Sequence, residues 1–300
     1  MTPLNNLSFP QRQSQWKKTV QGGSPAPLFI VGCGRSGTTL LLSILGADRS
    51  FSCIPEESEI LRWHIQPDLK ACLHPGATLE ELWAYDQELS QHLWENPAQR
   101  ARVEKEMYGK LATYAPPPST ATHWVEKTPS HVRRIRLIRK FFGEEVRFIH
   151  IVRDGRDVIT SKHPNKGREF HIHPERWVYD VSMAREFEDS PYVHVIRYED
   201  LIRDFKQTMT WVYDFLSKAV PDEIFDFESN SSIQWHDAWR QKIQGLSDKS
   251  IGRWKTDTLK ERIASFEQLP LCTSLLKHYG YESSGGVHDV GLDLVEDQQT

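Results

Sequence analysis

The chain has 300 residues, a length that makes one large domain or two small ones and can bury a sizeable core. Its 37 Lys and Arg against 41 Asp and Glu leave a formal charge of −4, so no global basic field exists to attract nucleic acid or an anionic membrane, and any anion site must be local. Cys33, Cys53, Cys72 and Cys272 form no CxxC pair and join no histidine cluster at zinc spacing, so they read as reduced thiols; no apolar run suits a secretory signal or a membrane span, and a cytoplasmic location is expected.

Residues 1–25 are polar, end in QGGSPAP and read as a flexible lead-in to a domain over 26–282. Leu28 to Val31 is a short β-forming run, followed at once by Gly32-Cys33-Gly34-Arg35-Ser36-Gly37-Thr38-Thr39 and the helical LLLSILG: a strand, a glycine-rich turn and a helix. Residues of about 60–113 carry helical patterns with Trp63, Trp83 and Trp94 and read as a helical insertion. His123-Trp124-Val125 is a further strand, running into Glu126-Lys127-Thr128-Pro129. Val146 to Val152 is another, ending in Arg153-Asp154-Gly155-Arg156-Asp157; Tyr192 to Ile196 is the last, closed by Arg197-Tyr198-Glu199-Asp200. Helical patterns at 37–46, 131–142, 175–188 and 206–218 alternate with these strands, which argues for an α/β fold: a doubly wound parallel sheet covered on both faces. The stretch from Ser283 to Thr300 reads as an acidic tail.

The turn after the first strand has the position of an anion cradle, because a helix N-terminus there presents free amides and a positive dipole. Against the nucleotide-triphosphate pattern GxxxxGK[ST], Gly32 and Gly37 keep the spacing and Thr39 fills the hydroxyl slot, but Thr38 stands where the lysine belongs and the cation sits earlier, at Arg35. Gly-x-x-Arg-Ser-Gly-Thr-Thr resembles the 5′-phosphosulfate loop of sulfotransferases that use 3′-phosphoadenosine 5′-phosphosulfate (PAPS), whose fold is a relative of the P-loop nucleotide kinases. Arg153 and, eight residues on, Ser161 resemble that family's 3′-phosphate grip. Tyr198-Glu199-Asp200 resembles its third strand end, where the tyrosine lies near the adenine, and Ser250-Ile-Gly-Arg253-Trp-Lys255 resembles its C-terminal segment closing over the nucleotide. Four motifs in the family's order, from about Leu28 to Tyr281, carry the resemblance.

That resemblance implies PAPS as co-substrate, bound by Gly34, Arg35, Ser36, Gly37, Thr38, Thr39, Arg153, Ser161, Tyr198, Arg253 and Lys255, and a hydroxyl-bearing acceptor. Arg35, Glu56-Glu57 and Glu126-Lys127-Thr128-Pro129 are most similar to the tyrosylprotein and carbohydrate branches and their bacterial relatives, whose base is a glutamate about twenty residues past the loop arginine. Glu57 fits, with Glu56 the alternative; Lys127 and Arg35 would stabilise the leaving oxygen and the sulfuryl oxygens, and no metal is expected. Each residue also has a plainer role: Thr38 and Thr39 as helix caps, Arg153 paired with Asp154 or Asp157, Glu57 as the acidic start of a helix, Lys127 as a solvated strand flank. Arg133-Arg134-Ile-Arg136-Leu-Ile-Arg139-Lys140 reads as the solvated face of an amphipathic helix, and His163, His171 and His173 as a substrate-facing loop. The rival functions are a P-loop phosphotransferase using ATP and magnesium, and a noncatalytic protein binding a nucleotide or a sulfated polymer.

Overall fold

The computed structural model describes residues 8–21, 26–61, 69–114, 121–162, 169–236, 241–242 and 245–281; the expected tail from Ser283 and His163 lie outside them. Helix α1 (Phe9–Gln21) precedes β1 (Ala26–Val31), α2 (Thr38–Leu45) and β2 (Phe51–Cys53), followed by α3 (Leu69–Cys72), α4 (Leu79–Glu95) and α5 (Pro97–Tyr114). Then come β3 (His123–Lys127), a 3-10 turn (Pro129–Arg134), α6 (Ile135–Phe142), β4 (Arg147–Val152), α7 (Gly155–Ile159), α8 (Pro174–Arg185), β5 (Val193–Arg197), α9 (Tyr198–Arg203) and α10 (Phe205–Phe215). After α11 (Phe227–Asn230), a small antiparallel ribbon pairs β6 (Trp235–His236) with β7 (Gln241–Lys242), and α12 (Lys260–Glu267) and α13 (Cys272–His278) follow.

The first five strands form one parallel sheet in the order β2-β3-β1-β4-β5. The chain leaves β1 for one edge, returns through β3, then crosses to β4 on the other side. Strand order therefore reverses beside β1, and the turn after β1 lies at the crevice where ligands bind in such sheets. In β1 and β4 every residue but the first is buried, the near-continuous apolar run required of strands covered on both faces.

Alternate residues of β1 serve opposite faces, as the two-residue period of a strand dictates. Leu28 and Ile30 pack with Leu41, Leu42 and Leu45 of α2 and Met209 and Val212 of α10. Phe29 and Val31 face Val103, Met107 and Leu111 of α5 and Leu137 and Ile138 of α6. Phe29 anchors the second layer, its ring centroid 5.4 Å from Trp124, 5.4 Å from Phe142 and 5.7 Å from Phe148; aromatic pairs of this kind add about 0.5–1.5 kcal/mol each beyond their buried area. A third cluster joins Cys33 and Val152 to α7, α8, α12 and α13 and supports the carboxyl ends of the strands.

Two expectations change. Where a flexible lead-in was expected over 1–25, α1 lies along α5: Gln13 Nε2 donates to the Lys105 carbonyl at 2.9 Å, and Lys17 pairs with Glu104 at 2.7 Å. Nor is the 133–140 basic run a solvated face. Arg133 and Arg134 are buried in ion pairs with Asp180 and Asp86, and Arg136 and Arg139 pair with Glu186 and Glu144. No helix among the described residues is long and apolar enough to cross a membrane, and the four cysteines are free thiols.

Candidate functional site

Backbone geometry fixes the loop between β1 and α2. Gly37 sits at φ 96°, where an added Cβ would stand 2.4 Å from the Tyr198 ring, so only glycine fits. Arg35 is itself left-handed at φ 72°, an uncommon conformation for a non-glycine residue, of the kind that concentrates at binding sites. The Gly32 amide donates to the Pro129 carbonyl at 3.1 Å, which ties the loop to the segment after Lys127. Gly37 caps α2 without a side-chain hydrogen bond, so the threonines do not take the capping role, and the buried Ser36 hydroxyl has no partner among the described residues. A helix N-terminus with unclaimed donors can hold an anion.

Beyond β4, no acidic residue among the described residues forms an ion pair with Arg153. Asp154 instead binds Arg156 through both oxygens, and Asp157 accepts from the amides of Gly252 at 2.7 Å and Trp254 at 3.2 Å. Arg153, only 4% exposed, donates to the Arg35 carbonyl at 2.9 Å and to the Ser250 carbonyl, lies over the Tyr198 ring at 4.4 Å, and forms no ion pair among the described residues. Ser161, buried at the end of the α7 turn, donates to the Asp157 carbonyl at 2.9 Å and accepts from Arg253 at 3.2 Å. The Tyr198 hydroxyl bonds Ser250 Oγ at 2.7 Å.

Three cations therefore converge. Burial, with the repulsion of Arg153 and Arg253, lowers Arg35 to about 10. Arg253 is lowered too, by burial and then by Arg153. Mutually repelling, partly desolvated arginines are stabilised by a bound polyanion.

A second group forms at the end of β3. Register places Glu126 beside Phe29 and Lys127 beside Ile30, so Lys127 stands at the carboxyl end of β3, next to the loop. Its ammonium donates to Glu57 Oε1 at 2.8 Å, with the lysine side chain 4% exposed and the glutamate 38%. Glu126 is buried and holds the neighbouring backbone: it accepts from Ser58 N at 3.2 Å, Ser58 Oγ at 2.6 Å, Thr128 Oγ1 at 2.5 Å and His131 Nδ1 at 2.9 Å. Burial alone would raise its carboxyl, but His131 and these hydrogen bonds outweigh it and hold Glu126 below the usual range. Glu57 opens on a cavity of about 520 Å3 walled by Ile60, Glu106 and Lys110, with Phe9 of α1 on its rim.

Of the residues singled out in the sequence, Arg35, Ser36, Gly37, Arg153, Ser161, Tyr198 and Arg253 gather in one place, and Glu57 and Lys127 pair with each other. Thr38 and Thr39 open α2. The Lys255 ammonium lies 5.4 Å from the Trp254 ring centre, and Arg156 covers the same ring. Glu56 is exposed. Sequence reasoning passed over Asp157, Ser58, Glu126 and His131, the residues that hold the others still. The signal for Asp157 was the paired aspartates of Arg153-Asp-Gly-Arg-Asp157, read as counter-charges rather than as acceptors for a distant loop.

A family model described as "Sulfotransferase family" matches residues 27–222. Among solved structures, the sulfotransferase domain of the Synechococcus PCC 7002 olefin synthase is 20% identical, with 87% of this chain and 96% of that one covered and a TM-score of 0.53. The sulfotransferase domain from the curacin biosynthetic pathway is also 20% identical, with 86% and 98% covered and a TM-score of 0.51. At such identity these likenesses bear on the fold alone. No curated protein matches the chain in sequence.

Proposed function

The chain belongs to the sulfotransferase family, and on that premise we propose that it moves a sulfuryl group from PAPS to an acceptor hydroxyl, with Glu57 as base. The observation that carries the donor assignment is Arg153: a buried guanidinium bonded to main-chain carbonyls and to no carboxylate is costly unless an anion completes it, and Ser161 with Arg253 beside it suits a 3′-phosphate. The loop 34–39, with Arg35, would take the 5′-phosphosulfate.

In-line transfer needs a fixed donor, a deprotonated acceptor and compensation of charge on the bridging oxygen. The S–O bond to the donor phosphate breaks with its electron pair, a new S–O bond forms to the acceptor oxygen, and the acceptor proton passes to Glu57. Lys127, held on Glu57, moves between the base and the leaving oxygen, and Arg35 faces the sulfuryl group. The cavity beside Glu57 is the acceptor's entry. Transfer from PAPS to a panel of phenolic, sugar and alkyl hydroxyls should proceed with EDTA in excess; turnover requiring ATP and magnesium would favour phosphoryl transfer instead.

A further inference from the structure

An ionic network beside the donor loop has no part in the chemistry above. Asp180 of α8 is fully buried and binds two arginines. Arg133, from the 3-10 turn that follows Lys127, donates its Nε to Oδ1, and Arg176, one turn earlier on α8, donates its Nε to Oδ2 at 2.7 Å. A carboxylate taken wholly out of water is costly, and two guanidinium partners are what stabilise it there.

The two arginines differ. Arg133 is buried, its guanidinium lying 5.2 Å from the Tyr179 ring centre. Arg176 keeps 27% of its side chain exposed, and Nε is its only side-chain nitrogen bonded to a described residue. Asp180 thus fixes the plane of a guanidinium whose two terminal nitrogens stay open.

The fold sets where they open. The segment leading into α8 touches the donor loop, since a Cβ added at Gly34 would lie 3.1 Å from Ile172 Cδ1. Trp177, the residue after Arg176, donates its indole N–H to the Arg153 carbonyl at 3.1 Å. Cys33 of the loop packs beside Asp180. From the other side, the Arg133 bond ties the Lys127 end of β3 to the same carboxylate. Burial alone would lower the Arg176 guanidinium, but Asp180 reverses this and holds it above its ordinary value. Arg176 therefore stands beside the donor loop, tied through Asp180 and Arg133 to the turn that follows Lys127, the partner of Glu57.

Resting on the donor site proposed above, we infer that Arg176 is a further catalytic residue, whose terminal nitrogens donate to the non-bridging oxygens of the sulfuryl group while Asp180 acts as its positioning residue. No proton moves through Arg176; it compensates charge as the bond to the bridging oxygen breaks, beside Arg35.

The test needs no acceptor. Calorimetric affinities for PAPS and for adenosine 3′,5′-bisphosphate, which lacks the sulfuryl group, are compared in the unaltered protein, Arg176→Ala and Arg176→Lys. Arg176→Ala should weaken PAPS about tenfold or more and leave the bisphosphate within about twofold, with Arg176→Lys between. Asp180→Asn should shift PAPS in the same direction by less; should that buried change unfold the chain, the partly exposed Arg176 still carries the test, with an unchanged melting temperature as its control. Unchanged PAPS affinity, or equal weakening of both ligands, would overturn the assignment. Failure of the unaltered protein to bind either ligand would overturn the donor site and the Arg176 role with it.

Discussion

The Glu57 carboxylate is held on both flanks. Lys127 grips Oε1 at 2.8 Å, and Glu126 fixes the next residue, Ser58, through its amide and hydroxyl. The proposed base must be aimed as well as basic, and this clamp would do the aiming. Glu57→Gln keeps the shape and removes the basicity, so turnover should fall about 10²–10⁴-fold while calorimetric binding of adenosine 3′,5′-bisphosphate stays unchanged. Glu56→Gln, at an exposed position, should alter neither; loss of turnover in Glu56→Gln with retention in Glu57→Gln would move the base by one residue. From sequence, spacing alone could not choose between the two glutamates. What separates them is long-range: Lys127 comes from a strand 70 residues away, and that pairing is invisible in a local window. Glu126 was legible only as part of a motif, because the partners that show it to be a clamp, Ser58 and His131, lie 68 and 5 residues off.

Among the elements, α7 and the segment 248–255 depend on each other. Asp157 caps that segment through two amides, and Ser161 at the far end of the same turn receives Arg253. Asp157→Ala leaves both amides without an acceptor, at roughly 1–3 kcal/mol if they stay buried, and frees Arg253 to drift from Ser161. Affinity for adenosine 3′,5′-bisphosphate should therefore drop about tenfold or more, whereas 5′-AMP, with no 3′-phosphate, should be little affected; equal loss for both would mean that the segment does not serve the 3′ side.

Strands β1 and β4 were readable as elements because burial on both faces demands unbroken apolar runs, and β5, at the sheet edge, showed through its β-branched residues Val193, Val195 and Ile196. Strand β2 was not: its three residues include Ser52 and a half-buried Cys53, and only pairing to β3 makes it a strand. Helix α1 was hidden for a related reason, since polar and basic residues dominate it and its contacts with α5 reach across some ninety positions, as from Gln13 to Lys105. The 133–140 run misled because helical periodicity marks which face is apolar but not which arginines find buried carboxylates.

For the molecule as a whole, histidines held neutral by burial should make folding sensitive to acid. His150 lies in the central strand β4, fully buried, with neither ring nitrogen bonded to a described residue, and burial lowers it to about 4. His123 is lowered to about 4 as well, chiefly by burial and then by Lys218. An unfolded histidine takes up its proton near 6.5, so as pH falls from about 6.5 toward 4 the unfolded chain binds protons that the native state refuses, and stability is lost across that window. The slope is at most about 1.4 kcal/mol per pH unit for each histidine. Glu126 and Asp180, held below the usual carboxylate range, withdraw their stabilisation only at lower pH. Urea midpoints between pH 7 and 5 should fall for the unaltered protein and less steeply for His150→Phe; equal slopes would place the acid sensitivity elsewhere.

The sheet brings two chain segments more than a hundred residues apart, the loop after β1 and the end of β4, to one crevice, and Arg35 and Arg153 meet there through a 2.9 Å hydrogen bond. A donor bearing phosphate at both its 3′ and 5′ ends is the ligand proposed for this crevice. The most direct measurement is calorimetric titration of the whole chain with adenosine 3′,5′-bisphosphate and with 5′-AMP under the same buffer and salt. Charge-assisted hydrogen bonds of about 1.5–3 kcal/mol each should make the bisphosphate bind at least tenfold, and up to several hundredfold, more tightly. Equal affinity for the two nucleotides would contradict a 3′-phosphate site at Arg153, Ser161 and Arg253, and with it PAPS as the donor.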